Sequence, residues 1–301
     1  MSLKIRHLEV FNALYEAGSV SQAAQRLNLT QPAVSIALSN LEEELGFRLF
    51  HRNRGFFAPT GEAAQLRGEI TQGLMALARV DRRADEIRQG WAGGVSIATN
   101  GVMAMNLLPT LIAEFQAEFP GTHIELRIHS SRQIADWTAS GQIDIGLIDA
   151  PIPAAGLNGE PFAMECVCIM RETDPLAARD IITPADLEGR TIVGINGDHV
   201  VDRQLKQVMF EAGVPLGYKS FSYYYAIARN MVAAGCGISI IDPINGKAEL
   251  RDGVLWRPFA PRIVHESVMI ASRDHAPGQG TGEMQASIRR HVAPYLISVA
   301  A

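Results

Sequence analysis

Apolar residues recur at steps of four, three and four through Val34, Leu38, Leu41 and Leu45. That is the stripe of a helix with one buried face. Thr30 stands before it as a cap, and Pro32 sits in its first turn, where a missing N–H costs nothing. Gly46 is the C-terminal stop. A shorter helical pattern covers Val20–Leu27 behind Ser19 as N-cap, and small Ala23 and Ala24 let a second helix cross closely. Asn28 and Leu29 form the break between the two, and Leu8, Phe11 and Leu14 predict an earlier helix that closes a small core. A basic, hairpin-like stretch through Arg48, Arg52 and Arg54 follows. Together these fit a winged helix-turn-helix, a shape that sets one helix in the major groove of DNA, although two short amphipathic helices with a break also occur in all-α domains that never meet DNA. The polar side of that helix carries Gln31, Ser35, Ser39 and Asn40, short groups able to reach base edges or phosphates. The residues expected to meet DNA are Ser19, Thr30, Gln31, Pro32, Ser35, Ser39, Arg52 and Arg54.

The pattern changes between Glu62 and Gln89. Ala63, Leu66, Ile70, Leu74, Leu77, Val80, Ala84 and Ile87 step by three or four, close to the coiled-coil spacing of ~3.5. One long helix is predicted, with mixed charge outside. Its stripe can face a second subunit or lie on the protein's own core. Gly90 and Gly93-Gly94 end it.

From Val95 strands and helices alternate. Strands are predicted at Val95–Thr99, His123–His129, Ile143–Ile148, Glu165–Met170, Thr191–Ile195 and Gly237–Ile241. Helices are predicted at Leu107–Phe119, Ser131–Ser140, Val201–Ala212 and Tyr224–Ala234. Ile263–Ala271 reads as a returning strand, and Gly282–Leu296 as a last helix. Such alternation implies an α/β domain with parallel sheets.

A chain of 301 residues exceeds the usual single core. The net charge of −5 alone argues against nucleic acid, but residues 1–60 hold six Lys/Arg against five acids. A weak local patch of this kind suits a dimer that adds two footprints. Cys166, Cys168 and Cys236 have neither metal nor redox spacing, and Cys166 and Cys168 read as small buried hydrophobes on one strand face. Met1–Lys4 leads straight into a charged helix, and no stretch approaches the ~18 apolar residues of a membrane span. A cytoplasmic protein is expected.

The strings Ala23-Ala24, Thr30-Gln31-Pro32-Ala33-Val34-Ser35, Leu41-Glu42, Leu45-Gly46 and Leu49-Phe50, with Phe11, Ser19, Leu27 and Arg52, resemble the N-terminal pattern of LysR-type transcriptional regulators. The match is dense over about the first sixty residues. In one departure from the family's Thr-x-x-Gly, Thr60 is followed directly by Gly61. The resemblance implies a winged helix-turn-helix over 1–60, a linker helix over 61–90 and an effector-binding domain over 91–301. It implies that the linker pairs two subunits through Leu66, Ile70, Leu74 and Leu77, in a homodimer or homotetramer. It further implies two α/β lobes around a cleft, like periplasmic solute-binding proteins. Lobe I would span about 91–162 and 267–301, lobe II about 163–266, with hinges near Phe162–Glu165 and Glu266–Val268. Partners would be double-stranded DNA, a small-molecule effector and RNA polymerase. No membrane, cofactor or metal is expected.

Ligands of open α/β sheets sit outside the C-terminal strand ends. Those ends carry Thr99, Asn100, Gly101, Ser130, Ser131, Asp149, Asn196, Asp198 and Asp242. Hydroxyl and amide groups before helices suit a carboxylate. Asp149 and Asp242 suit a cation, or are turn and capping residues beside Pro151 and Pro243. An amino acid or its derivative would satisfy both chemistries. Ile240-Ile241-Asp242-Pro243 also resembles the LysR-type regulators of opine catabolism, which respond to octopine or nopaline. The competing reading is a small-molecule-binding or catalytic α/β protein without DNA function, either a transport component or an enzyme with a Cys or His nucleophile. His123, His129, His199, His265 and His275 are scattered, and no Gly-x-Ser-x-Gly or P-loop string appears. No catalysis is expected.

Overall fold

Ser19 and Thr30 act as the caps their positions suggest. The Ser19 hydroxyl accepts the Gln22 N–H at 3.3 Å and that of Thr30 accepts the Ala33 N–H at 3.4 Å. They open α2 (Val20–Arg26) and α3 (Gln31–Leu45), which follow α1 (Ile5–Ala17). A hairpin of β1 (Phe50–Asn53) and β2 (Phe56–Pro59) comes next, then the long α4 (Gly61–Arg88). The structure is a computed structural model describing residues 3–53, 56–88, 94–152, 156–196, 199–274 and 280–297. It divides into two units, Met1–Asp85 and Glu86–Ala301.

In the first unit Val10, Phe11, Leu14, Val34, Leu38 and Leu41 form a fully buried core. Gly46 ends α3 at φ +81°, a conformation that side chains with a Cβ rarely adopt. The next step is set by one carboxylate. Glu42 is buried on the inner face of α3, where Oε1 accepts the N–H groups of Leu49 and Phe50 at 2.8 and 3.3 Å. Its Oε2 accepts from the Arg48 guanidinium at 2.8 Å. The wing is thereby tied to the helix before it. Thr60 then donates to the Arg48 carbonyl at 3.0 Å and accepts the Ala63 N–H at 3.2 Å. This bond caps α4 directly at Gly61.

The stripe of α4 is shared differently from the expected dimer seam. Ala63 and Ile70 are buried in the core of their own unit, and Leu66 and Leu74 are half-buried against it. Thr71 hydrogen-bonds Asn12 at 3.5 Å, and the Arg67 guanidinium lies 4.5 Å from the Tyr15 ring centre. The first half of the helix completes the winged unit. Leu77 and Val80, beyond it, are exposed, Val80 to 64 %.

The second unit opens with β3 (Gly94–Thr99), α5 (Leu108–Glu118), β4 (His123–Ile128), α6 (Ser131–Ala139), β5 (Ile145–Asp149) and β6 (Leu157–Glu165). The chain then crosses to β7 (Val167–Arg171), β8 (Thr191–Ile195), α7 (Val200–Glu211), β9 (Gly217–Ser222), α8 (Tyr225–Ala233), β10 (Ser239–Ile241), α9 (Pro243–Gly246) and β11 (Val254–Pro258). It returns through β12 (Val264–Ser272) to α10 (Thr281–Val292). The first sheet has the order β4-β3-β5-β12-β6. The expected parallel pairing holds for β3 with β4 and β5, and for β8 with β9. Elsewhere the sheets are antiparallel: β12 against β5 and β6, and β7 between β10 and β11. A parallel bridge from Ile192 to Ile238 joins β8 to the start of β10. The crossings between lobes lie after Glu165 and before Val264, where the Cys166 N–H donates to the Ile263 carbonyl at 2.9 Å. The segment Glu266–Val268, expected as a hinge, is instead the middle of a strand paired on both sides.

Arg229 on α8 is fully buried. Its guanidinium takes Asp252 through two bonds of 2.7 and 3.0 Å and donates to the Asn245 and Gly246 carbonyls at 2.8 and 2.9 Å. This paired charge holds α8, α9 and the start of β11 together.

Replacing Glu42 with Ala leaves the Leu49 and Phe50 N–H groups buried without an acceptor. A loss of about 3 kcal/mol is expected in the first unit. Trp91, Trp137 and Trp256 all lie beyond residue 85. Urea unfolding of the variant should therefore shift an early circular-dichroism transition while tryptophan fluorescence keeps its midpoint. Unchanged circular dichroism would show that the carboxylate is dispensable.

Candidate functional site

Two surfaces gather the polar groups singled out in the sequence. The first is the outer face of α3. Gln31, Pro32 and Ser39 are exposed and Ser35 is half-buried. Ile36 stands among them 61 % exposed, a large apolar side chain that the polar-face reading passed over. Its signal was the step of four from Pro32 through Ile36 to Asn40, which continues along the exposed face. Such a face offers amide and hydroxyl groups to base edges and an apolar group to a thymine methyl. Ser19 and Thr30 spend a lone pair on helix caps, and their hydroxyl protons remain available. The Arg52 side chain and all of Arg54 lie outside the described residues.

The second surface is the seam between the lobes of the second unit. Because β3, β4 and β5 run parallel, Thr99, Ile128 and Asp149 end on one edge of their sheet. Thr99 is fully buried, and its hydroxyl has no hydrogen-bond partner among the described residues. Asn100 is half-buried at the same edge. Ser130 is exposed and caps α6 through Gln133, whereas Ser131 turns inward and accepts the Asp149 N–H at 3.2 Å. Gly101 sits at φ +106°, where a Cβ would land 2.4 Å from the Tyr224 ring. Only glycine allows the lobes to close there. Asn196 is exposed at the end of β8, and Asp198 lies outside the described residues.

Asp149 does not stand as a free anion. Its Oδ1 accepts from His265 Nε2 at 2.8 Å, and its Oδ2 lies 3.6 Å from His199 Nε2. Burial alone would raise its pKa. The hydrogen bonds from His199 and His265, and the positive charge either ring can carry, outweigh burial and hold the carboxyl well below the usual range. His199 caps α7 by accepting the Val201 N–H at 3.3 Å through Nδ1, and the Tyr225 hydroxyl lies 3.2 Å from the same nitrogen. Asp149 comes from lobe I, His199 from lobe II and His265 from the returning strand β12. Two of the five histidines that looked scattered thus meet on one carboxylate.

Asp242 takes a different place from the one expected. It is 0 % exposed, its Oδ1 accepts the Asn245 N–H at 3.0 Å and its Oδ2 accepts from the Asn245 side chain at 2.8 Å. Burial pushes its pKa up, opposed by the charge of His265 and the bonds from Asn245. The carboxylate is the N-cap of α9 and has no face toward the cleft. Asn245 in turn donates to the Val102 carbonyl and accepts from Asn106, both at 2.8 Å, which ties α9 to lobe I. Cys166 and Cys168 are buried free thiols whose pKa values are pushed up by burial, as suits packing groups.

The chain matches two family models. Residues 5–64 match the bacterial regulatory helix-turn-helix protein, lysR family, and residues 88–292 match the LysR substrate binding domain. The transcriptional activator protein LysR of Escherichia coli is 28 % identical over 297 residues, covering 97 % of this chain and 95 % of that protein. The octopine catabolism/uptake operon regulatory protein OccR of Rhizobium meliloti is 27 % identical and covers 91 % of each chain. Among solved structures, full-length CbnR complexed with its target DNA superposes with a TM-score of 0.62 at 19 % identity, covering 97 % of this chain and 100 % of that one. That likeness extends the shared fold over both units. With the helix-turn-helix and the two-lobed domain each matched, the chain belongs to the LysR family and is a DNA-binding transcriptional regulator with an effector-binding domain, not an enzyme.

Proposed function

We propose that this regulator binds double-stranded DNA as a homodimer or homotetramer in the cytoplasm. It would respond there to a small carboxylate-bearing effector, such as an amino acid or an opine-like derivative. RNA polymerase is the further partner such a regulator would meet at a promoter. Among the described residues no helix is long and apolar enough to cross a membrane. On the DNA side, Gln31, Ser35 and Ile36 read bases while Arg52 and Arg54 hold phosphates. The exposed, capped face of α3 supports this division. Ser35→Ala and Ile36→Ala are expected to weaken a cognate promoter fragment by about 1–3 kcal/mol and random DNA hardly at all. Arg54→Ala should weaken both alike and flatten the salt slope by about one unit. Gel shifts with both DNAs decide it; equal losses on random DNA for Ile36→Ala would remove that residue from base readout.

Pairing of subunits is assigned to the outer half of α4. Leu77 and Val80 are exposed and apolar at helical spacing, and Leu74 reaches them from the edge of the unit's own core. A double substitution of Leu77 and Val80 with Asp should yield monomers by light scattering at low micromolar concentration, without loss of the unfolding midpoint. Ile70→Asp should instead unfold the first unit, because that side chain belongs to its core. An unchanged mass in the double variant would rule out this seam.

The effector reading rests on Thr99. A buried hydroxyl without a partner among the described residues, at the strand-end edge where α/β sheets take ligands, is a donor awaiting an acceptor. Asn100, Ser130 and Ser131 share that edge, and the exposed Ser130 hydroxyl can add a second donor. Among the described residues Asp149 is the one carboxylate of the expected set that reaches the cleft, and a cationic group would have to compete with two imidazoles for it. Similarity to OccR, a regulator of octopine catabolism and uptake by its name, supports an amino-acid-like class. Thr99→Val keeps the shape and breaks no side-chain hydrogen bond among the described residues. It is expected to lower effector affinity at least tenfold, about 1.4 kcal/mol, with effector-free DNA binding intact. A calorimetric screen of amino acids, opines and plain organic acids supplies the ligand, and equal affinity in the variant would place the carboxylate elsewhere.

A further inference from the structure

We propose that Asp149, His199 and His265 form a binding site for one divalent transition-metal ion, of the zinc class, at the seam of the two lobes. One ligand atom from each residue lies within 4.8 Å of the others. The two separations from the carboxylate, 2.8 and 3.6 Å, straddle what an ion needs. Bonds of ~2.0–2.2 Å put neighbouring donors of a tetrahedral ion roughly 3.4 Å apart. Two imidazoles and one carboxylate suit zinc and its neighbours, whereas calcium and magnesium would demand more oxygen donors.

The surroundings fit a ligand set with one side open. His265 is fully buried, while the side chains of Asp149 and His199 remain 26 % and 18 % exposed. An ion can therefore arrive from the cleft and keep a coordination position facing it. The ring nitrogens can present the right lone pairs. Tyr225 is buried, and its hydroxyl lies 3.2 Å from His199 Nδ1. As acceptor it would hold a proton on Nδ1 and free Nε2 for the ion, the outer support that metal-bound histidines require. The long 3.3 Å cap from the Val201 N–H is the bond given up. His265 Nδ1 has no hydrogen-bond partner among the described residues, so no neighbour at that nitrogen dictates its tautomer. Asp149 supplies the negative charge, and Ser131 fixes the strand end that carries it. Because the three donors come from lobe I, lobe II and the returning strand, a bound ion would clamp the lobes together. A metal-binding regulator would then change its closed population without any organic ligand.

The test uses the full-length protein stripped with a chelator and dialysed against zinc chloride alone, with no organic effector present. Its outcome is therefore independent of the effector class. One ion per chain is expected, with at least tenfold weaker binding in His199→Ala and in Asp149→Asn. His129→Ala, an exposed histidine outside the cluster, should bind as the parent does. Cobalt chloride supplies a second readout, since the visible spectrum of the bound ion reports nitrogen and oxygen ligands in a four- or five-coordinate shell. Zinc should also raise the thermal midpoint of the parent and of His129→Ala but not of the two cluster variants. His199 and Asp149 are chosen over the fully buried His265 because both touch solvent and are the safer positions for folding. Parent protein that takes up no zinc overturns the proposal. So does protein that keeps one ion with equal affinity in both cluster variants.

Discussion

A carboxylate drawn most of the way out of water has to be met by donors, and at Asp149 those donors belong to different parts of the chain. His199 opens α7 in lobe II, and His265 sits on the strand that brings the chain home. Meeting both requires that the C-terminal end of β5 face the C-terminal end of β8, and this arrangement defines the cleft. The rest of the second unit serves it. Antiparallel β12 bonds to both β5 and β6, so the returning strand is locked to the one that carries Asp149. Gly101 lets Tyr224 approach, and Asn245 bridges from α9 to the Val102 carbonyl. Loss of the carboxylate would remove the group that both ring nitrogens face across the seam.

The same logic acts in the first unit on a smaller scale. Glu42 is a charge buried on the inner face of α3, and the donors it finds are the two backbone amides that begin the wing. It is the first of three consecutive acids, Glu42-Glu43-Glu44, near the end of that helix. Burial turns it into the tie between that helix and the hairpin beyond it. Acidic residues near a DNA-binding surface would ordinarily repel phosphate. This one is withdrawn from the surface and paired with Arg48.

Legibility followed from whether a residue's partner was near in sequence. The helices of the first unit were readable because caps and stripes are local: Ser19 with Gln22, Thr30 with Ala33, Val34 with Leu38 and Leu41. The parallel strands from β3 to β5 were readable from alternation with helices. Of the antiparallel strands, β7, β10 and β12 were readable as strands, but β6 and β11 were not, since β6 contains Pro161 and mostly polar residues in its first half, and β11 follows only the four-residue α9 and a loop. Asp242 carried two readings, cleft anion or cap, and the choice lay with Asn245 three residues on, whose backbone and side chain both bind it. His199 and His265 had no local signal at all. Only the crossing of two lobes, decided by strand pairing far away, brings them to Asp149.

The stripe of α4 shows how far periodicity can be pressed. A repeat near 3.5 demands that one face be covered but is silent on what covers it. Here the cover changes along the helix. Ala63 and Ile70 are taken by the core that α1 and α3 build, and Thr71 and Arg67 secure the same turns to Asn12 and Tyr15. Past that core Leu77 and Val80 continue the pattern and are exposed. An apolar stripe that outlasts its intramolecular partner is what the proposed pairing of two copies would cover. On that proposal, assembly would depend on the winged unit being folded, because the inner half of α4 packs on that unit. A regulator built this way cannot present its paired recognition helices unless each is already capped, tied through Glu42 and packed.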